Sequence, residues 1–302
     1  YSVKNGYWNL SEETLYLFNG GNLSLPSSHQ FDQLFSQHAN EITSDFKIVG
    51  SELADSLNLN INRSGSRETI SGDYTFSMGD GNDSIASARF KNGDSIDMGT
   101  GDDVVSLYVT NSSGTPSYAS LNMTKLDGGS GTDTLSFGEM GSQGSTELTL
   151  THGGATNFEN IDGSGGVDII RGDTGNNHLR GDGGADTIYG GSGNDTIAGH
   201  YMNPSQYWDA GGPSDSDMRQ WSTDSSRDAN DVLYGQAGDD LLIGTAGDNT
   251  LDGGTGADTI YSGSGSDTIV LRVNDGGRTL AAADTIADFT DGSDVLGLDG
   301  GL

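Results

Sequence analysis

The sequence predicts an all-β chain: a right-handed parallel β-roll or β-helix solenoid, closed at its start by a short cap with one helix. Three observations carry this. A nine-residue beat, Gly-Gly-x-Gly-x-Asp-x-aliphatic-x, runs through the second half, for example Gly190, Gly191, Gly193, Asp195 and Ile197, and again Gly253, Gly254, Gly256, Asp258 and Ile260. The eighth position is aliphatic in all nine strict copies: Ile170, Leu179, Ile188, Ile197, Leu233, Leu242, Leu251, Ile260 and Ile269. A unit this short cannot bury its one apolar side chain alone, so the copies must stack. Finally, aspartate is the only acid after Glu159. Exclusive use of the shorter carboxylate points to a geometric demand in tight turns.

Composition sets the conditions under which such a stack can exist. Lys+Arg 13 against Asp+Glu 44 leaves a net charge of −31, with 49 glycines and only 32% apolar residues. That balance normally signals disorder, because too little apolar area is buried to offset chain entropy. Periodic placement of the apolar residues argues otherwise, and a bound cation would reconcile the two. The acidity repels nucleic acid and anionic membranes. There is no cysteine, which excludes disulfides and thiolate metal sites. No stretch reaches the roughly 18 apolar residues of a membrane span, and no signal peptide precedes Tyr1.

Taken in order, residues 1–50 read as an N-terminal cap. Phe31, Leu34, Phe35, Ala39 and Ile42 fall on one face of a helix expected over Ser28 to Ile42, started by Pro26 and the serines after it. Residues 51–162 read as irregular parallel rungs. Leu57, Leu59 and Ile61 alternate with asparagines, and glycine-aspartate loops end at Asp83, Asp103 and Asp133, which are expected to be metal ligands as well. These acids are 20 and 30 residues apart, and Asp168 is expected to follow them. Residues 163–199 form a first strict block with sixth positions Asp168, Asn177, Asp186 and Asp195. Residues 230–270 form a second with Asp231, Asp240, Asn249, Asp258 and Asp267. Between them, residues 200–229 break the beat. Tyr207, Trp208 and Trp221 there could stack on a sugar or aromatic ligand or pack as a mini-core. Residues 271–302 leave the beat and read as a strand-like cap. His178, at a seventh position, is expected to face solvent.

The turn chemistry names the cation. Calcium takes about six to eight oxygen ligands, more than one glycine-rich turn can supply. Two turns on the same side, one 18-residue coil apart, can do so. The pairs are Asp168 with Asp186, Asn177 with Asp195, Asp231 with Asn249, Asp240 with Asp258, and Asn249 with Asp267.

These repeats resemble the RTX family, the hemolysin-type calcium-binding repeats of bacterial proteins exported by type I secretion. The resemblance implies that position-six carboxylates are joined by carbonyls at positions one and three of the earlier turn and two and four of the later. Carried over, Gly163, Gly165, Asp182 and Gly184 join Asp168 and Asp186, and Gly172, Thr174, Gly191 and Gly193 join Asn177 and Asp195. Gly235, Ala237, Gly254 and Gly256 join Asp240 and Asp258, while Gly244, Ala246, Gly263 and Gly265 join Asn249 and Asp267. Asn177 and Asn249 depart from the family aspartate and imply weaker metal there. The resemblance also implies folding where calcium is abundant, outside the cell, with roughly five to ten ions by ligand arithmetic.

No His-Glu-x-x-His, Gly-x-Ser-x-Gly or phosphate-loop motif occurs. The expected function is therefore a non-enzymatic, calcium-dependent extracellular module of a surface-layer protein, adhesin or RTX exoprotein, with cell-surface polysaccharide or self-association as partners. The alternative is the secretion and stability module of a hydrolase whose catalytic domain lies upstream. A β-helix enzyme acting on polysaccharide is a third reading.

Overall fold

The computed structural model describes residues 2–9, 14–24, 46–58, 74–88, 94–107, 125–137, 147–149, 155–200, 229–272, 283–290 and 292–299. The helix expected over Ser28 to Ile42, and Tyr207, Trp208 and Trp221, lie outside these residues.

Alternate side chains of a strand point to opposite faces. Several strands here are so short that they turn one residue inward, as β7, β9 and β14 do. In chain order they are β1 (Ser2–Asn9), β2 (Thr14–Ser24), β3 (Phe46–Val49), β4 (Ser56–Asn58), β5 (Tyr74–Ser77), β6 (Ser84–Ala88), β7 (Ser95–Asp97), β8 (Val104–Leu107), β9 (Lys125–Asp127), β10 (Thr134–Ser136), β11 (Glu147–Thr149) and β12 (Ala155–Thr156). There follow β13 (Asn160–Asp162), β14 (Ile169–Arg171), β15 (His178–Asp182), β16 (Thr187–Ser192), β17 (Thr196–His200), β18 (Val232–Ala237), β19 (Leu241–Ile243), β20 (Thr250–Thr255), β21 (Thr259–Tyr261), β22 (Thr268–Arg272), β23 (Thr285–Ile286) and β24 (Val295–Asp299). The chain divides into two compact units, residues 1–140 with 150–160, and residues 141–149 with 161–302.

In the first unit, β1 and β2 form an antiparallel hairpin, and β2 then pairs in parallel with β3 and β4. Two parallel ladders follow, β3–β5–β7–β9–β12 and β4–β6–β8–β10. Register stacks Ile48, Phe76, Ile96 and Leu126 in one column and Leu57, Ile85, Val105 and Leu135 in the other. All eight are buried, and Met78 and Met98 close the interior beside the turns.

The second unit repeats this scheme at shorter period. One sheet runs β11–β14–β16–β18–β20–β22–β24, all parallel, and the ladder β15–β17–β19–β21–β23 is parallel too. The nine eighth-position aliphatics all point inward and none exceeds 1% exposure. The core is thus one aliphatic wide on each side, and each member counts heavily. Leu233, sealed between Ile188 and Leu251, is the test: Leu233→Ala is expected to lower unfolding free energy by about 2–5 kcal/mol in saturating calcium, read by urea titration.

Several outward positions behave unlike simple surface. Ala198, Ile243 and Tyr261, at ninth positions of β17, β19 and β21, form a separate buried apolar cluster with Leu241 and Ala287 packed on it. On the other sheet Tyr189 stacks on Tyr234 with centroids 4.9 Å apart, and the Arg171 guanidinium covers Tyr189. Arg180 is buried against Asp162 at 2.9 Å. His178 is half-buried rather than solvent-facing, and burial holds its imidazole below the usual range.

Candidate metal centre

Each rung bends at a turn that ends in a buried aspartate, and the turns stack closely. Gly183 N–H donates to Ser164 O at 3.0 Å, Ser192 N–H to Asp173 O at 2.9 Å, Gly238 N–H to Thr255 O at 2.9 Å and Gly247 N–H to Ser264 O at 2.9 Å. The predicted ligand-bearing turns, 163–168 on 181–186, 172–177 on 190–195, 235–240 on 253–258 and 244–249 on 262–267, are therefore in contact. The second-position residues Asp182, Gln236 and Thr245 adopt the left-handed backbone normally left to glycine, as Gly191, Gly254 and Gly263 do at the same place.

The sixth-position acids form two rows in the second unit. In each step the main-chain N–H of one acid donates to Oδ1 of the next. One row runs Asp168, Asp186, Asp231, Asn249, Asp267 and Asp294, with distances of 2.8, 2.8, 2.9, 2.8 and 3.2 Å. The other runs Asn177, Asp195, Asp240, Asp258 and Asp284, at 2.8, 2.8, 2.9 and 3.2 Å. The structure brings together all five pairs expected from the 18-residue spacing. It adds Asp186 with Asp231 and Asp195 with Asp240 across the insertion, and carries both rows onto Asp294 and Asp284. Those last two were legible as Asp-Val-Leu296 and Asp-Thr-Ile286, which keep the aspartate-x-aliphatic ending of the beat.

The insertion enters differently from the sequence reading. The position-one residues Gly163, Gly181, Gly199, Gly244 and Ser262 form a close column, each glycine with the next residue's carbonyl oxygen within 3.0 Å of where a Cβ would sit. Gly199 also stands against Asp231 Oδ2 as Gly181 stands against Asp186 Oδ2. The turn ending at Asp231 therefore opens at Gly199, and the extra residues interrupt that turn instead of separating two complete blocks.

A further row crosses the first unit. Asp55, Asp83 and Asp103 N–H donate to Oδ1 of Asp83, Asp103 and Asp133 at 2.7, 2.7 and 2.9 Å, and Asp133 N–H donates to Glu159 Oε2 at 2.8 Å. Glu159, 26 residues on, thus takes the place expected for Asp168.

Burial leaves these rows short of partners. Oδ2 of Asp186, Asp195, Asp240 and Asp267, and of Asp83, Asp103 and Asp133, is buried with no hydrogen-bond donor in the protein. Unpaired buried carboxylate oxygens are costly. Burial, helped by the neighbouring charge of Asp231, pushes the Asp186 carboxyl up to about 9. Burial lifts Asp195 and Asp231 to about 7 and Asp240 and Asp267 to about 6, against the lowering effect of the amides they accept from. A cation beside these oxygens satisfies them and restores the ionised form. The donors on offer are carboxylate, amide and main-chain oxygens, a hard set suited to calcium. Among the described residues no three acidic or imidazole side chains converge on one point, so any ion must draw on main-chain carbonyls as well.

Fold and turns together define a parallel β-roll with cation-accepting rows along its edges. The family model of the RTX calcium-binding nonapeptide repeat matches in four copies over residues 162–197, 227–244 and 234–269, so these segments are similar to repeats that bind calcium in general. No curated protein matches the chain. In the repeats, the residues that would hold calcium are the position-six acids and the carbonyls of the stacked turns, and the ion would supply positive charge where the fold concentrates buried carboxylates.

Proposed function

We propose that this protein is a secreted bacterial structural module, adhesive or surface-forming rather than catalytic, that folds when it meets calcium outside the cell. The observation that carries the reading is the set of buried Oδ2 atoms without donors along the repeat rows. A stack that leaves so many carboxylate oxygens unpaired is poorly stable alone and gains stability from a ligand bound only by the folded state. A rigid, acidic roll with calcium along both edges suits a spacer or a surface contact. Among the described residues no helix is long and apolar enough to cross a membrane.

Far-UV circular dichroism during calcium titration tests this. The expected result is a coil-like spectrum in chelator that becomes β-rich near millimolar calcium. Magnesium at the same concentration should fail, because it demands a tighter octahedral shell. A β-rich spectrum at neutral pH that is indifferent to chelator overturns the proposal.

A further inference from the structure

We infer that the first turn of each acid row is a closed cap that takes no cation, so that ions begin only beyond the second turn. This rests on the calcium reading of the repeats and departs from it at the turns 50–55, 163–168 and 172–177, which head the rows starting at Asp55, Asp168 and Asn177.

Two backbone forms divide the turns. In the uninterrupted turns inside the rows, the second and fourth residues are both left-handed, as in Gly99 with Gly101, Asp182 with Gly184, and Gln236 with Gly238. Their fourth-position amides can then reach the next rung. Gly81 N–H donates to Thr100 O at 2.8 Å, Gly193 N–H to Ala237 O at 2.9 Å and Gly238 N–H to Thr255 O at 2.9 Å. In the three head turns none of the corresponding residues, Ser51 and Leu53, Ser164 and Gly166, Asp173 and Gly175, is left-handed. The fourth amide folds back onto the second side chain instead. Leu53 N–H donates to Ser51 Oγ at 3.2 Å, Gly166 N–H to Ser164 Oγ at 3.2 Å and Gly175 N–H to Asp173 Oδ1 at 2.7 Å.

This form aims the second amide at the turn's own sixth residue. Ser51 N–H donates to Asp55 Oδ2 at 2.6 Å, Ser164 N–H to Asp168 Oδ2 at 2.6 Å and Asp173 N–H to Asn177 Oδ1 at 2.9 Å. Ser164 Oγ adds contacts of 3.0 Å to both Asp168 oxygens. Inside the rows, Asp186, Asp195 and Asp240 leave Oδ2 buried with no donor. A carboxylate held by charge-assisted bonds from its own turn is satisfied without metal, and the amide hydrogen aimed at it opposes a cation. A cap needs an acceptor but no charge, which accounts for Asn177. Asn249 is not its equivalent, because it lies in a left-handed turn inside the other row, between Asp231 and Asp267. In the repeats the first ions are then flanked by Asp186 with Asp231 and by Asp195 with Asp240, and Asp168 and Asn177 are left out of the ligand set.

Crystals of the full chain grown with calcium, with the ions located by their anomalous signal, test this. The expected maps show ions inside the rows and none within about 2.6 Å of an Asp168 or Asn177 side-chain oxygen. An ion held by Asp168 or Asn177 overturns the caps while leaving calcium in the repeats. Crystals with no ion in any turn remove the calcium reading itself. Equilibrium dialysis gives a second, independent readout. Ser164→Gly deletes the hydroxyl and supplies the residue that Gly191, Gly254 and Gly263 place at the same position with left-handed φ. Its calcium count is expected to rise by one over the wild-type chain, and an unchanged or lower count overturns the lock assigned to Ser164.

Discussion

In chelator, lowering the pH from about 8 to about 5 is expected to drive the chain toward its β-rich state, the reverse of ordinary acid denaturation. Aspartate in an unfolded chain titrates near 3.9. In the folded rows, burial holds Asp195 and Asp231 at about 7, Asp240 and Asp267 at about 6, and Asp186 at about 9. Asp83 and Asp133, also raised by burial, stand at about 7. Between these values and the unfolded one, the folded chain holds protons that the unfolded chain has released. Stability therefore grows as pH falls through about 7 and is lost as pH rises, with no further gain below about 4 where both states are protonated. Calcium requires the ionised form, so acid should weaken its binding while it helps the metal-free fold. Circular dichroism at fixed low calcium and several pH values would show this. A chelated chain that steadily loses β signal from pH 8 to 5 contradicts the burial of these rows.

Gly238→Ala should be among the most damaging single substitutions, with a loss of more than about 4 kcal/mol. Gly238 has φ +142, and an added Cβ would lie 1.7 Å from Gly193 O and 2.5 Å from Gly193 C. Both are main-chain atoms of the adjacent rung and cannot rotate away. The turn would have to open, and the amide of Gly238 that bonds Thr255 O would move with it. Gly183→Ala is the internal control. Its nearest neighbour would be Gly165 Cα at an ordinary 3.5 Å, and its backbone is not left-handed. Melting temperature in saturating calcium should fall steeply for the first and barely for the second. Equal effects would mean that the turns are not packed rung on rung.

Much of this architecture is readable before any coordinates, because the repeat is rigid in period. The inward aliphatics from Ile170 to Ile269 and the acid pairs one coil apart follow from counting. What escaped the count lies where period and spatial order part. Glu159 joins the aspartate row although it belongs to no glycine turn of the usual form. Asp55 sits at the head of the row after Gly50-Ser-Glu-Leu-Ala, a turn with one glycine. Asp284 and Asp294 lie 26 and 27 residues beyond their partners, more than the 18 residues of one coil, so the spacing that pairs the other acids does not reach them. The burial of Ala198, Ile243 and Tyr261 has no sequence signal either, since ninth positions elsewhere hold Arg171 or Tyr234 on the same outward side.

The interrupted turn between Gly199 and Asp231 shows how the scaffold accommodates extra chain. Where neighbouring coils take 18 residues, this one takes 45, yet Thr187 still meets Val232 and Thr196 still meets Leu241 in unbroken parallel register. The excess leaves and returns at a single corner, so neither ladder senses its length. That corner is a natural graft point. A foreign peptide exchanged for residues 201–228 should be displayed without altering the strands on either side, and loop swaps among such rolls could diversify what they present while the frame stays fixed.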